Sequence, residues 1–260
     1  MRKGSLFAKP GRGGRVPMLT VEGLSAWYGE LKALHELSFS VNSGEVLAII
    51  GANGAGKSTL LRSIVGMMNR GRTAHIEGMI EFQGRRLDKL RTERIVETGV
   101  TMVPEGRKLF PRMTVADNLM VGAHLPRVRE AARERIVEMF EFFPRLAERR
   151  DQLVSQMSGG EQQMVAIARA LMSSPQLVLF DELSLGLAPI IVDDIYAKVR
   201  EVNAAGVTCV VIEQDMRRAL AVADHVLVML EGRVVLDGSP GSLAEEDIVA
   251  AYFGSKKGGH

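Results

Sequence analysis

The sequence predicts an α/β fold: a buried parallel sheet with an antiparallel β edge and an inserted α-helical subdomain. Three observations carry this expectation. Val46-Leu47-Ala48-Ile49-Ile50 and Leu177-Val178-Leu179-Phe180 are short all-apolar runs, as parallel strands buried on both faces require. A glycine-rich loop, Gly51 to Ser58, follows the first run, and Leu60, Leu61, Ile64 and Val65 then recur at helical spacing. From about Asp88 to Met157 charge becomes dense and the apolar period becomes helical, as in the stripe Ile136, Met139, Phe140 and Phe143.

The remaining elements follow in order. From Leu19 to Tyr28, and again over Leu37-Ser38-Phe39-Ser40-Val41, apolar and polar residues alternate as in half-exposed antiparallel strands, and Met79-Ile80-Glu81-Phe82 reads as another. After the second buried run, a helix is expected from about Pro189, with Ile191, Ile195, Val199 and Val202 on one face. A strand over Val207–Ile212, a short helix near Arg217–Val222 and strands Val226–Leu230 and Arg233–Leu236 complete the core, the last two joined by a tight Glu231-Gly232 turn. No internal repeat is present, so one core domain over 18–254 is expected, with the helical subdomain inserted at about 88–160.

Composition excludes several classes. The chain has 260 residues, 46% hydrophobic and 25% charged, which is ordinary for a globular protein with ample core. A single cysteine, Cys209, sits in an apolar run, so no internal disulfide forms and a buried, inert thiol is expected. No apolar run approaches the roughly 20 residues that cross a bilayer, so a soluble protein that docks on membrane partners is expected. The formal charge is +2, yet Arg2, Lys3, Lys9, Arg12, Arg15, Lys256 and Lys257 all lie at the ends, so the body is mildly acidic. Residues 1–17 read as a disordered basic extension, not a secretory signal, and 255–260 as a flexible tail. An acidic body argues against a nucleic-acid partner.

The chemistry begins at Gly51-Ala52-Asn53-Gly54-Ala55-Gly56-Lys57-Ser58, which matches G-x-x-x-x-G-K-[ST] at every fixed position. Glycines let successive backbone N–H groups curl around a phosphate. Lys57 can reach the β- and γ-phosphates, the Ser58 hydroxyl can ligate Mg²⁺, and Thr59 follows at the helix start. With a strand before and a helix after, these residues predict a P-loop NTPase core that binds a nucleoside triphosphate. Ser158-Gly159-Gly160-Glu161, before another helix-forming run, is a second candidate anion site, although an ordinary helix cap has the same composition. The buried run Leu177–Phe180 ends in Asp181-Glu182. Asp181 can hold Mg²⁺ through water, and Glu182 can orient and deprotonate the attacking water.

These three motifs, in this order and spacing, resemble the ATP-binding cassette family over roughly residues 18–254. The resemblance implies ATP hydrolysis with Mg²⁺ and two cassettes that close head to tail, ATP lying between one P-loop and the partner's Ser158, Gly159, Gly160 and Glu161. It places Tyr28 as the adenine-stacking aromatic, Glu105 at the lid position beside ATP and its metal, and Gln214 at the switch position on the γ-phosphate.

Four positions depart from the broad family pattern. Glu105 stands where Gln is usual, Gln214 where His is usual, and Ala188 where an Asp is common. With the run Phe110 to Leu119, these three are similar to ATP-binding subunits of branched-chain amino acid importers, specifically the Pro-Glu-Gly-Arg type. That implies two separate membrane permease subunits, a second cassette, a substrate-binding protein outside the cell and a peripheral position on the cytoplasmic face of the inner membrane. The permeases would contact a groove near Glu105–Pro111, where Leu109 and Phe110 are apolar. Import of urea or amides, export of a lipid or polysaccharide, and a soluble non-transport ATPase are the alternatives. The fourth departure, Leu183 in place of proline after Glu182, should loosen the backbone that aims Glu182.

Overall fold

The computed structural model describes residues 17–68 and 73–253. The expected basic extension, apart from Pro17, and the expected tail lie outside the described residues. Along the chain, β1 (Pro17–Tyr28) and β2 (Leu31–Asn42) form a long hairpin, and β3 (Val46–Ile50) leads into α1 (Lys57–Ile64). Next come β4 (Ala74–Phe82), the short β5 (Arg85–Arg86), α2 (Thr92–Glu97) and β6 (Val100–Val103). The inserted helices are α3 (Val115–Gly122), α4 (Pro126–Arg129), α5 (Ala132–Phe142) and α6 (Pro144–Ala147), followed by α7 (Gly159–Leu171). The chain closes with β7 (Leu177–Asp181), α8 (Pro189–Ala204), β8 (Thr208–Glu213), α9 (Met216–Val222), β9 (His225–Leu230), β10 (Arg233–Gly238) and α10 (Glu245–Phe253).

Two sheets result. The antiparallel edge has the order β2-β1-β4-β5, and the core sheet has the order β10-β9-β3-β8-β7-β6. Neighbours from β9 to β6 are parallel, and only β10 runs against its neighbour. The period of two along β7 divides its side chains between two cores. Leu177 and Leu179 point into the layer shared with α1 and the antiparallel sheet, whereas Val178 and Phe180 face the layer shared with α7 and α8. Leu60, Leu61 and Ile64 of α1 are completely buried between the two sheets, each contributing about 1.5–3 kcal/mol of apolar burial. That packing clamps the helix whose N-terminus carries Lys57 and Ser58.

Two elements differ from expectation. The stretch 88–160 is not uniformly helical: Val100–Val103 pairs in register with Leu177–Phe180 as the last strand of the core sheet, so β6 separates α2 from the run of inserted helices that begins at Val115. Four residues with two half-buried side chains carry too little periodicity to separate strand from helix. Helix α10 (Glu245–Phe253) has no counterpart among the elements the sequence predicts. Elsewhere the stripe of α5 meets the core as expected, with Met139 and Phe143 buried and Ile136 and Phe140 packed against the same cluster. Glu231 (φ +46°) and Gly232 (φ +73°) make the expected tight turn between β9 and β10.

Candidate active site

Strand β3 delivers the chain into Gly51, where an added Cβ would collide with the carbonyl oxygen of Met229 on β9. Gly54 (φ +83°) and Gly56 (φ +98°) occupy the left-handed region that only glycine enters without strain. No side chain caps α1, so the N–H groups of its first turn remain free for an anion at the positive end of the helix. The N–H of Gly232 donates to the carbonyl of Ala55 at 3.0 Å, which braces the loop from outside.

Above this loop lies an open cleft of about 610 Å³. Asn53, Gly54, Gly56, Lys57, Ser58, Thr59, Glu105, Glu182 and Gln214 all line it, so the structure gathers half of the sequence-predicted residues in one cleft. Gly51 and Ala52 contribute their carbonyls, which accept hydrogen bonds from Lys57 Nζ at 2.7 and 3.1 Å. Ala55 is buried beneath the loop. Tyr28 is exposed at the end of β1, with its hydroxyl 3.5 Å from the Thr59 hydroxyl. Trp27 beside it stacks on His75 with ring centres 4.6 Å apart, which fixes the strand end. Sequence reasoning did not place Leu31, Lys32 and His35 of β2 in the cleft, nor the expected Glu231-Gly232 turn, and all of these line it. Nothing local marks them as cleft residues; only the pairing of the two sheets around α1 brings them there.

The floor of the cleft concentrates charge out of water. Lys57 is 4% exposed and Asp181 2% exposed. Burial pulls the Lys57 ammonium below its ordinary range, against the opposing pull of Glu182, Asp181 and Glu213. Burial pushes the Asp181 carboxyl above its ordinary range; the Ser58 hydroxyl, donating to Asp181 Oδ1 at 3.1 Å, opposes this, and the charges of Glu182 and Glu105 add to it. Glu182 Oε1 lies 3.8 Å from Lys57 Nζ, and Gln214 Nε2 donates to both oxygens of Glu182 at 2.9 Å. Gln214 therefore grips Glu182 itself, a contact the sequence does not predict.

Hard oxygen donors at Ser58 and Asp181, with excess negative charge around a buried carboxyl, fit Mg²⁺. Mg²⁺ takes one or two carboxylates and fills the rest of its shell with phosphate and water, which a hydroxyl and a single carboxyl can serve.

Glu182 has φ +50°, a left-handed backbone. The loosening expected from Leu183 is offset by packing: the Leu183 side chain is buried in the helical core, and the Glu182 N–H donates to the Ile212 carbonyl at 3.1 Å. Ala188 is the N-cap residue of α8 and supplies no side-chain cap, and Pro189 takes the first helical position instead.

Ser158, Gly159, Gly160 and Glu161 do not line the cleft. They form the start of α7, where the Ser158 hydroxyl accepts from the Glu161 N–H and Glu161 Oε2 accepts from the Ser158 N–H and hydroxyl, both at 2.9 Å. Burial works against ionisation of Glu161, yet the Ser158 bonds and Arg149 at 2.9 Å hold its carboxyl below the usual range. Gly160 is buried against α8, where an added Cβ would strike Ile191. Cys209 is buried, and burial pushes its thiol up, as an inert core residue requires.

A family model described as ABC transporter matches residues 34–184. The high-affinity branched-chain amino acid transport ATP-binding protein BraG of Pseudomonas aeruginosa is 41% identical, over 91% of this chain and 100% of that protein. The lipopolysaccharide export system ATP-binding protein LptB of Haemophilus influenzae is 29% identical, over 92% of this chain and 98% of its own. Among solved structures, the ADP conformation of MJ1267, an ATP-binding cassette of an ABC transporter, superposes with a TM-score of 0.78 at 30% identity, covering 90% of this chain and 94% of that one.

Proposed function

The chain belongs to the ABC transporter family, and we propose that it is the ATP-hydrolysing subunit that powers a branched-chain amino acid importer. One observation carries the enzymatic half of this reading. The Glu182 carboxylate stands in the same cleft as Lys57 and Gln214, facing the loop on which the phosphates of ATP would rest. The transport half rests on BraG, more similar over its full length than the export protein LptB.

Free N–H groups of the loop and of α1 bind the phosphates, and Lys57 turns from the Gly51 and Ala52 carbonyls to the β- and γ-phosphates. Tyr28, at the edge of the cleft, stacks on adenine. Ser58, and Asp181 through water, would hold Mg²⁺, with Glu105 lining the same cleft, and the ion would supply neutralisation of phosphate charge. Gln214 releases at least one Glu182 oxygen and donates to the γ-phosphate instead, and the freed carboxylate accepts the proton of the attacking water. Ser158, Gly159 and Gly160 cover the same γ-phosphate from a second cassette.

Outside the cleft, Leu109 packs inward and Phe110 points outward beside exposed Met113. Asn118 is completely buried and pins this loop, accepting from the Phe110 N–H at 2.9 Å and donating to its carbonyl at 3.1 Å. This apolar, braced surface is where a permease subunit docks. No helix among the described residues is long and apolar enough to cross a membrane, in keeping with a peripheral subunit held by such partners.

Glu182→Gln is expected to lower turnover by about two orders of magnitude or more while ATP stays bound. Purified with ATP from native membranes, that variant should bring down two polytopic permeases and a second cassette. Near-normal turnover would remove Glu182 as the base, and recovery of a lipid-export permease would replace the import reading.

A further inference from the structure

Glu213, the last residue of β8, is 1% exposed and has no role in the steps above. A carboxylate buried that deeply is unfavourable unless donors meet it. One residue meets both of its oxygens. The Ser184 N–H donates to Oε1 at 3.2 Å, and the Ser184 hydroxyl donates to Oε2 at 2.8 Å. Tyr196 of α8 closes another side; its buried phenol comes up to the carboxylate without a hydrogen bond of ordinary geometry.

Ser184 lies two residues beyond Glu182, and the left-handed backbone of Glu182 persists only where its surroundings hold it. Leu183 leaves the turn freer in φ than a proline would. Three consecutive residues of one strand end supply the hold. Ile212 accepts from the Glu182 N–H, Glu213 fixes Ser184, and Gln214 grips the Glu182 carboxylate. Backbone and side chain of the same residue are thus braced from the end of β8, in the middle of the core sheet, and from the residue that follows it.

We infer that Glu213 is a positioning residue for ATP hydrolysis: through Ser184 it fixes the backbone that aims the Glu182 carboxylate at the attacking water. The inference rests on Glu182 being the general base. A residue needed only for folding would change yield and melting temperature but not the rate per folded molecule. A positioning residue changes kcat and leaves ATP binding alone.

The test uses the full chain with Glu213→Ala, Glu213→Gln and Ser184→Ala, measuring steady-state ATP hydrolysis and the binding of a fluorescent ATP analogue. Glu213→Ala should lower kcat about 10- to 100-fold, the range expected of a small misplacement of a reacting group, with KM and analogue affinity within threefold. Glu213→Gln should recover kcat to within about threefold, because its amide oxygen accepts from the Ser184 N–H while its amide nitrogen donates to the hydroxyl. Ser184→Ala should fall between the two, and it decides the matter alone if Glu213→Ala does not fold. In a Glu182→Gln background, Glu213→Ala should add no further loss, since it acts through the group already removed.

Unchanged kcat in the folded variants, equal losses for Ala and Gln, a loss confined to KM, or an additive loss in the Glu182→Gln background would each overturn the inference. An active Glu182→Gln would instead remove the general base and the inference with it. An inactive Glu182→Gln beside a fully active Glu213→Ala would remove the inference alone.

Discussion

Two glycine-containing helix starts in this chain solve the same problem in opposite ways. The start of α1 has no side-chain cap, glycines in left-handed conformations and an open cleft in front of it. The start of α7 satisfies its own donors through the reciprocal Ser158–Glu161 bonds and stands away from that cleft. Unused donors mark a site that takes its anion within one chain. A self-capped helix end is stable without a ligand and offers only a surface, which suits half of a site that another molecule completes. The difference fits the proposed division of labour, in which one half binds ATP and the other meets it across an interface.

The comparison breaks most sharply at Lys57. Lys57→Ala should weaken ATP binding by the single chain about 10- to 100-fold, as removal of a charge-assisted contact worth about 1.5–3 kcal/mol implies, and titration with a fluorescent analogue measures it. Ser158→Ala should leave that titration unchanged within twofold. If both substitutions weaken binding by the isolated chain equally, the two regions are not divided as described.

At Gly160 the expected effect is on the fold. Gly160→Ala forces a Cβ into Ile191 of α8 and should destabilise the protein by about 1–3 kcal/mol in urea unfolding, the usual range for overpacking. Ser158→Ala removes a helix cap and should cost about 1 kcal/mol in the same assay, leaving the α1 half untouched.

The smallest effect is the most diagnostic of the buried charge. Because the Asp181 carboxyl is raised by burial and neighbouring charges, its contribution to stability is present at low pH and is lost as pH rises through the folded-state value. Asp181→Asn should then raise the melting temperature of the nucleotide-free protein slightly at neutral pH. The gap between variant and parent should narrow as pH falls toward the carboxylate range. A gap that widens on acidification would contradict the stated cause.

Much of this was legible in the chain because its signals are local. The loop 51–58, the buried runs that became β3 and β7, and the turn at 231–232 each declare themselves within ten residues. What escaped depends on contacts distant in sequence. The short β6 is recognisable only by its pairing with β7, and Ser184 meets Glu213 across 29 positions. Gln214 was expected on a phosphate, but its grip on Glu182 across 32 positions emerges only when β7 and β8 lie side by side. The consequence of Leu183 likewise depended on a core that no neighbouring residue reveals.

The most direct measurement is sedimentation velocity of Glu182→Gln, alone and mixed with its candidate sister cassette, with and without ATP and Mg²⁺. An ATP-dependent dimer that is lost in Glu182→Gln carrying Ser158→Ala, while each chain still binds nucleotide, is the expected result. A saturated monomer with no ATP-driven association in either mixture would contradict the claim that α7 completes a site on another cassette.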